Sequence, residues 1–182
     1  MQSIKSNDLI LGNTKLKVNK GISEKQIEEL IGFSNKDPLI LSTTQDSERF
    51  KDKKSFETWL QKKRTIYVLT EKGGKLLGVI WFGLKTLPKD YNYITSLDVN
   101  HYGITFAIRL YQDARGKGLS EPFINETFKK YKLTREFRET SAKGMWLETK
   151  IDNLPAIKAY EKFGFGLVSA PNENGRIIMC LS

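Results

Sequence analysis

The sequence predicts an α/β fold around one hydrophobic core, and two observations carry that expectation. β-rich runs alternate with apolar stripes of helical period along the whole chain. The 182 residues, 39% of them hydrophobic, suffice for one domain that buries about 70% of the surface its unfolded form would expose. No repeat or domain-sized linker divides them. One domain over residues 1–182 is therefore expected, with a loose start at 1–7.

Residues 15–18 have the pattern of a first strand. From Ser23 onward, Ile27, Leu30 and Ile31 mark one face of a helix. Ser23 and Gln26 stand at capping-box spacing, and Gly32 marks its end. Residues 37–50, with Pro38 and many Ser, Thr, Asp and Gln, read as a loop; Phe56, Trp59 and Leu60 then share a helical face within 55–63. Two β-rich runs, 65–70 and 76–84, flank Gly73 and Gly74 and predict a hairpin. A long irregular connection, 85–103, leads to a strand at 104–111. Beyond Gly118, the residues Leu119, Phe123, Ile124, Phe128 and Tyr131 follow a helical period, with Pro122 tolerated in the first turn. A strand at 145–150, a helix at 153–163 stopped by Gly164, and a hairpin of 165–170 with 176–181 complete the chain.

The net charge of +9, from 30 Lys and Arg against 21 Asp and Glu, favours anionic ligands. The basic clusters at 51–54, 62–64, 129–132 and 135–138 are dispersed rather than gathered on one element, which argues against a nucleic-acid partner. Cys180 is the only cysteine, so neither an intrachain disulfide nor a thiolate zinc cluster can form, and no metal is expected. The apolar run 76–84 falls short of the ~20 residues of a membrane helix. With no signal peptide in view, the expectation is a soluble protein of the reducing cytoplasm, without a membrane partner.

Two segments carry the chemistry. In Ile108-Arg-Leu-Tyr-Gln-Asp-Ala-Arg-Gly-Lys-Gly-Leu-Ser120 a strand runs into a turn with two glycines and then directly into a helix. Glycine lets main-chain N–H groups approach an oxygen-rich ligand, and a helix start adds unpaired donors and a dipole that favours anions. This outlines a pyrophosphate cradle with Arg115 and Lys117 at its rim. The spacing of a nucleotide P-loop and the third glycine of a dinucleotide fingerprint are both missing. Alone, R-G-x-G also describes an ordinary tight turn. Further along, Leu147-Glu-Thr-Lys-Ile-Asp-Asn-Leu-Pro-Ala-Ile-Lys-Ala-Tyr-Glu-Lys-Phe-Gly-Phe165 again runs strand, loop, helix and glycine stop. Together, R-G-x-G and L-E-x-x-x-x-N-x-x-A-x-x-x-Y-E-K-x-G-F resemble the GNAT superfamily of acyl-CoA-dependent N-acetyltransferases. The resemblance holds at motif level over 105–165 and in element order over 15–181.

That resemblance implies a central twisted, mostly antiparallel sheet with one splayed parallel strand pair, flanked by about four helices. It also implies acetyl-CoA as cosubstrate. The strand backbone at Ile108, Arg109 and Leu110 would pair with the pantetheine amides. N–H groups of Arg115, Gly116, Lys117, Gly118, Leu119 and Ser120 would hold the pyrophosphate, and Asn153 would touch the cofactor arm. Tyr160 stands where many members place the general acid that protonates the departing thiolate; on an apolar helix face it also fits a core tyrosine. Glu148 stands as the general-base glutamate does in the ribosomal-protein N-terminal acetyltransferases. Such a base is needed because an amine is mostly protonated at neutral pH; a solvated or ion-paired strand position is the alternative. Two positions depart from the pattern. Asp113, where Gln or Arg is usual, would repel a pyrophosphate unless it points away or pairs with Arg115 or Lys117, and Ser120 replaces a small Gly or Ala.

The expected activity is direct transfer of an acetyl group from acetyl-CoA to a primary amine of a small molecule or peptide. A non-catalytic acyl-CoA-binding sensor on the same fold is the alternative. The acceptor is expected to enter through 37–50 and 85–103, where Asp46, Glu48, Asp90, Tyr91, Tyr93 and Asp98 would suit a cation. His101 and Cys180 show no partner in the sequence, and Cys180 reads as an inert buried thiol. The sequence does not fix the oligomeric state, and a homodimer stays open.

Overall fold

The middle strands are apolar without alternation because both of their faces are covered. Residues 65–70 and 76–83 are buried throughout, the signature of strands sandwiched between helical layers. The computed structural model describes residues 9–11, 14–89 and 91–182. Its strands are β1 (Leu9–Leu11), β2 (Thr14–Lys20), β3 (Arg64–Thr70), β4 (Leu76–Leu84), β5 (Tyr102–Leu110), β6 (Gly144–Lys150), β7 (Gly166–Leu167) and β8 (Arg176–Leu181). They form one sheet in the order β1-β2-β3-β4-β5-β6-β8-β7. Each neighbouring pair is antiparallel except β5 with β6, which is parallel.

The helices are α1 (Glu24–Lys36), α2 (Pro38–Thr43), α3 (Asp46–Arg49), α4 (Lys53–Leu60), α5 (Ser120–Lys132), α6 (Arg135–Glu139) and α7 (Leu154–Lys162). Ile66, Val68, Val79 and Trp81 on one face of the sheet pack against Leu30 of α1 and Phe56 and Trp59 of α4. Ile80, Phe82 and Phe106 on the other face pack against Phe123 and Phe128 of α5 and Tyr160 of α7. The Phe82 and Tyr131 rings stack with centroids 3.8 Å apart. Burying large side chains on both faces supplies the main driving force, about 1.5–3 kcal/mol for each one fully removed from water.

This is the α/β architecture read from the sequence, and the four longer helices are those its apolar periodicity picks out. The short α2, α3 and α6 raise the number to seven among the described residues. Residues 37–50, expected to be a loop, form α2 and α3. The Asp37 carboxylate accepts from the N–H groups of Leu39 (3.0 Å) and Ile40 (3.4 Å), and Pro38 opens the first turn. The Thr43 and Thr44 hydroxyls donate back to the carbonyls of Leu39 and Ile40. The polar residues that suggest a loop are therefore those that cap and close α2. The last hairpin is shorter than 165–170: Gly166 and Leu167 are in register with β8, the Val168 N–H donates to the Ile178 carbonyl (3.1 Å), and Ser169 accepts the Ile178 N–H through its hydroxyl. The start at 1–7 and Asp90 lie outside the described residues. Among the described residues no helix is long and apolar enough to cross a membrane.

β5 and β6 pair only at Tyr102 with Gly144, Ile104 with Met145 and Thr105 with Trp146. Beyond that point β5 stays with β4 as far as Leu110, while β6 follows β8 as far as Lys150. The two strands part, and a gap opens through the sheet.

Candidate active site

A cleft of about 560 Å³ occupies the gap. Residues 105–110 of β5 and 146–149 of β6 line it, with α7 and the start of α5 on one side and α2, α3 and α4 on the other. The Tyr111 N–H donates to the Leu77 carbonyl of β4 (2.9 Å). N–H direction alternates along a strand, so Ile108 and Leu110 present theirs to the gap while the Arg109 backbone faces β4. The Ile108 carbonyl accepts from Arg109 Nη1 (2.9 Å) and the Leu110 carbonyl from Arg115 Nε (2.7 Å). The N–H groups of Ile108 and Leu110 are thus the main-chain donors on offer.

At the mouth of the cleft, Gly116 (φ 70°) and Gly118 (φ 67°) take the left-handed conformation, which costs a residue with a Cβ about 1–2 kcal/mol. Among the described residues none accepts a hydrogen bond from the N–H groups of Gly116, Lys117, Gly118 or Leu119. The helix that follows has no side-chain cap, because its N-cap residue Leu119 is apolar and buried in the core. Main-chain donors and an uncapped helix start make a concave anion site. Arg115, Gly116 and Ser120 line the cleft, whereas Lys117 and Gly118 stand exposed at its rim.

Arg115 braces this turn against α2. Its Nη1 and Nη2 donate to the two Asp37 oxygens (3.0 and 2.7 Å). Burial tends to raise the Asp37 carboxyl, but Arg115 outweighs it and holds the group below its usual range. Asp113 turns away and pairs with Lys75 (2.5 Å), not with Arg115 or Lys117. The repulsion suggested by its sequence position is relieved from outside the turn.

Tyr160 is 5% exposed and packs edge-on against Phe106 and Phe165, yet it also lines the cleft. It is a core tyrosine that also forms part of the cleft wall. Burial raises its phenol, with Arg109 acting in the opposite direction, so the hydroxyl keeps its proton at neutral pH. Asn153, the N-cap of α7, makes no side-chain cap bond and lines the cleft as well. Glu148 enters from β6 with its side chain 35% exposed. The Tyr91 hydroxyl lies 3.0 Å from Glu148 Oε1 and 3.1 Å from the Arg176 carbonyl, and it accepts from Asn172 Nδ2 (2.9 Å). A loop residue far along the chain thereby orients the carboxylate.

Sequence reasoning missed the arginines as a group. Asp46, 1% exposed, accepts from Arg109 Nε (2.6 Å) and Nη2 (3.2 Å) and from Arg49 Nη1 (2.5 Å). Burial would raise its carboxyl; Arg109 and then Arg49 overcome that and hold it low. Asp46 is an internal counter-ion rather than an acid offered to a cationic acceptor, and Glu48 and Asp98 do not line this cleft. Arg64, the first residue of β3, donates from Nη1 to Thr105 Oγ1 (3.0 Å). The one local signal was Gly83, a bare position in an apolar run, and its meaning needs the strand register. His101 packs edge-on against Tyr102 (5.0 Å), and burial pushes the Cys180 thiol up to about 12. Neither lines the cleft.

The acetyltransferase (GNAT) family model matches residues 37–165. No curated protein sequence matches the chain. Among solved structures, spermidine N-acetyltransferase from Vibrio cholerae, in complex with CoA and spermine, is 16% identical with a TM-score of 0.61, over 91% of this chain and 92% of that one. An aminoglycoside acetyltransferase in complex with CoA and kanamycin is 18% identical with a TM-score of 0.63, over 91% and 95%. The GNAT domain of S. lividans PAT is 15% identical with a TM-score of 0.62, over 97% and 96%. At such identities these likenesses speak for the fold alone.

Proposed function

The chain belongs to the acetyltransferase (GNAT) family, and on that premise we propose that it transfers an acetyl group from acetyl-CoA to a primary amine of a small molecule or peptide. The observation that carries this reading is the parting of β5 and β6 beyond Thr105 and Trp146. It gathers edge N–H groups, a buried phenol and a carboxylate around one gap. Two of the similar structures hold CoA, one beside spermine and one beside kanamycin, which supports CoA in this cleft.

In this reading the N–H groups from Gly116 to Ser120 hold the pyrophosphate. Those of Ile108 and Leu110 pair with the pantetheine amides, and Asn153 lies along the arm. An edge N–H at the gap stabilises the oxyanion as the amine nitrogen attacks the thioester carbon. Glu148 takes a proton from the amine, directly or through water, and Tyr160 gives its own to the sulfur as the C–S bond breaks.

Thiol release from acetyl-CoA over an amine panel tests this. Tyr160→Phe is expected to lose about 10²–10³ in kcat with CoA affinity retained. An unaltered rate in that variant removes the proposed acid. Tight CoA binding with no turnover on any amine replaces the enzyme by a CoA-binding sensor.

A further inference from the structure

Building on the acetyltransferase reading, we propose that the acceptor amine carries a carboxylate, and that Arg64, with Arg49 beside it, is what receives that carboxylate. Arg64, Gly83 and Thr105 stand in one row across β3, β4 and β5. A Cβ at position 83 would come within 1.9 Å of Arg64 Nη1. With glycine there, the guanidinium lies flat across β4 and reaches Thr105, the last β5 residue paired with β6. The charge is therefore delivered to the apex of the gap, where the acetyl group is transferred.

That charge is poorly compensated. Among the described residues no carboxylate lies within ion-pair distance of Arg64, and its buried Nε has no acceptor. Arg49 must share Asp46 with Arg109. Of the other cleft arginines, Arg115 is supplied by Asp37 and Arg176 by Glu148 at 3.9 Å, while the Lys85 ammonium lies 5.6 Å over the Trp146 ring. The Arg64 guanidinium also sits 5.6 Å over the Trp59 ring, whose neighbour Trp81 crosses it edge-on at 5.3 Å. Both rings are largely buried, Trp59 7% and Trp81 5% exposed, and an ion pair formed against such apolar surface is screened less than one in bulk solvent.

The pyrophosphate of CoA is not the missing anion. Between Thr105 and the cradle lies the β5 run to Leu110, about 17 Å of extended strand. A polyamine would instead bring a second positive charge against Arg64 and Arg49. An amine with a carboxylate a few bonds away satisfies both sides, its nitrogen towards Glu148 and its carboxylate towards Arg64.

The test uses acceptors in matched pairs, each amino acid against its amide, with the full-length protein and acetyl-CoA. Wild type is expected to favour the carboxylate member by about tenfold or more in kcat/KM, the size of a charge-assisted hydrogen-bond pair. Arg64→Gln should bring the two members within about threefold, and Arg64→Lys, which keeps the charge, should restore part of the preference. Equal or better use of the amides by wild type overturns the inference, as does an undiminished preference in Arg64→Gln. Calorimetry of the same pairs against the CoA complex covers the case in which no amine turns over. Selective binding of the carboxylate member would then uphold the subsite while the transferase reading fails. Equal binding of both members would overturn the subsite.

Discussion

The two ends of the cleft are built from different parts of the chain. At the cradle, the groups that face outward are main-chain N–H groups of four successive residues, presented by two left-handed glycines and an uncapped helix. At the far end, side chains converge from separate elements, among them Arg49 from α3, Trp59 from α4, Arg64 from β3, Trp81 from β4 and Thr105 from β5. A main-chain site depends on local conformation and tolerates changes of side chain. A side-chain site depends on register and on buried charge balance, so single substitutions there should reach further.

The sharpest break in that comparison is Asp46→Ala, which leaves Arg109 and Arg49 without their shared counter-ion. Unfolding in denaturant should show a loss of about 3 kcal/mol or more, the usual consequence of stranding a buried charge. Its pH dependence has a defined sign. The native carboxyl is held below its ordinary value of 3.8, so the contribution is fully present above about pH 4 and fades only as pH falls through the native value. A gap between wild type and variant that widens towards low pH would contradict this.

Next in size is Gly83→Ala. The added methyl has to displace the Arg64 guanidinium, with an expected cost of about 1–3 kcal/mol. Thermal unfolding measures that cost, and a CoA titration should find the cradle unaffected. Smaller again, Gly118→Ala acts on the cradle alone: the strained φ costs about 1–2 kcal/mol, and calorimetry should show CoA affinity falling about tenfold. Smallest is Lys117→Ala, which removes an exposed rim charge and should weaken CoA by no more than about threefold at physiological salt. A larger effect from Lys117 than from Gly118 would reverse the picture of a main-chain cradle.

The same contrast explains what could be read in advance. The spacing of Gly116, Gly118 and the helix after them is a local pattern, visible without knowing where any other residue lies. The apolar stripes of α1, α4, α5 and α7 are local too, and with the strand runs they made the α/β fold legible. Residues 37–50 depart from the expected loop because composition does not distinguish a polar loop from two short helices, the first of them capped by the same residue types. Asp46 was misread because its partner Arg109 is 63 residues away. Arg64 went unnoticed because the row that links it to Gly83 and Thr105 exists only once three strands have paired. Tyr91 gives no sign of its contact with Glu148 until the connection between β4 and β5 folds back over β8.

The central claim is that the glycine turn holds the CoA pyrophosphate while the parted strands receive the thioester end. A crystal structure of the protein with CoA tests it most directly. Phosphate oxygens within about 3 Å of the N–H groups of Gly116 to Leu119, with the sulfur beyond Thr105 and Trp146, are the predicted result. Phosphates held by lysine side chains elsewhere, with those N–H groups facing bulk water, would contradict it.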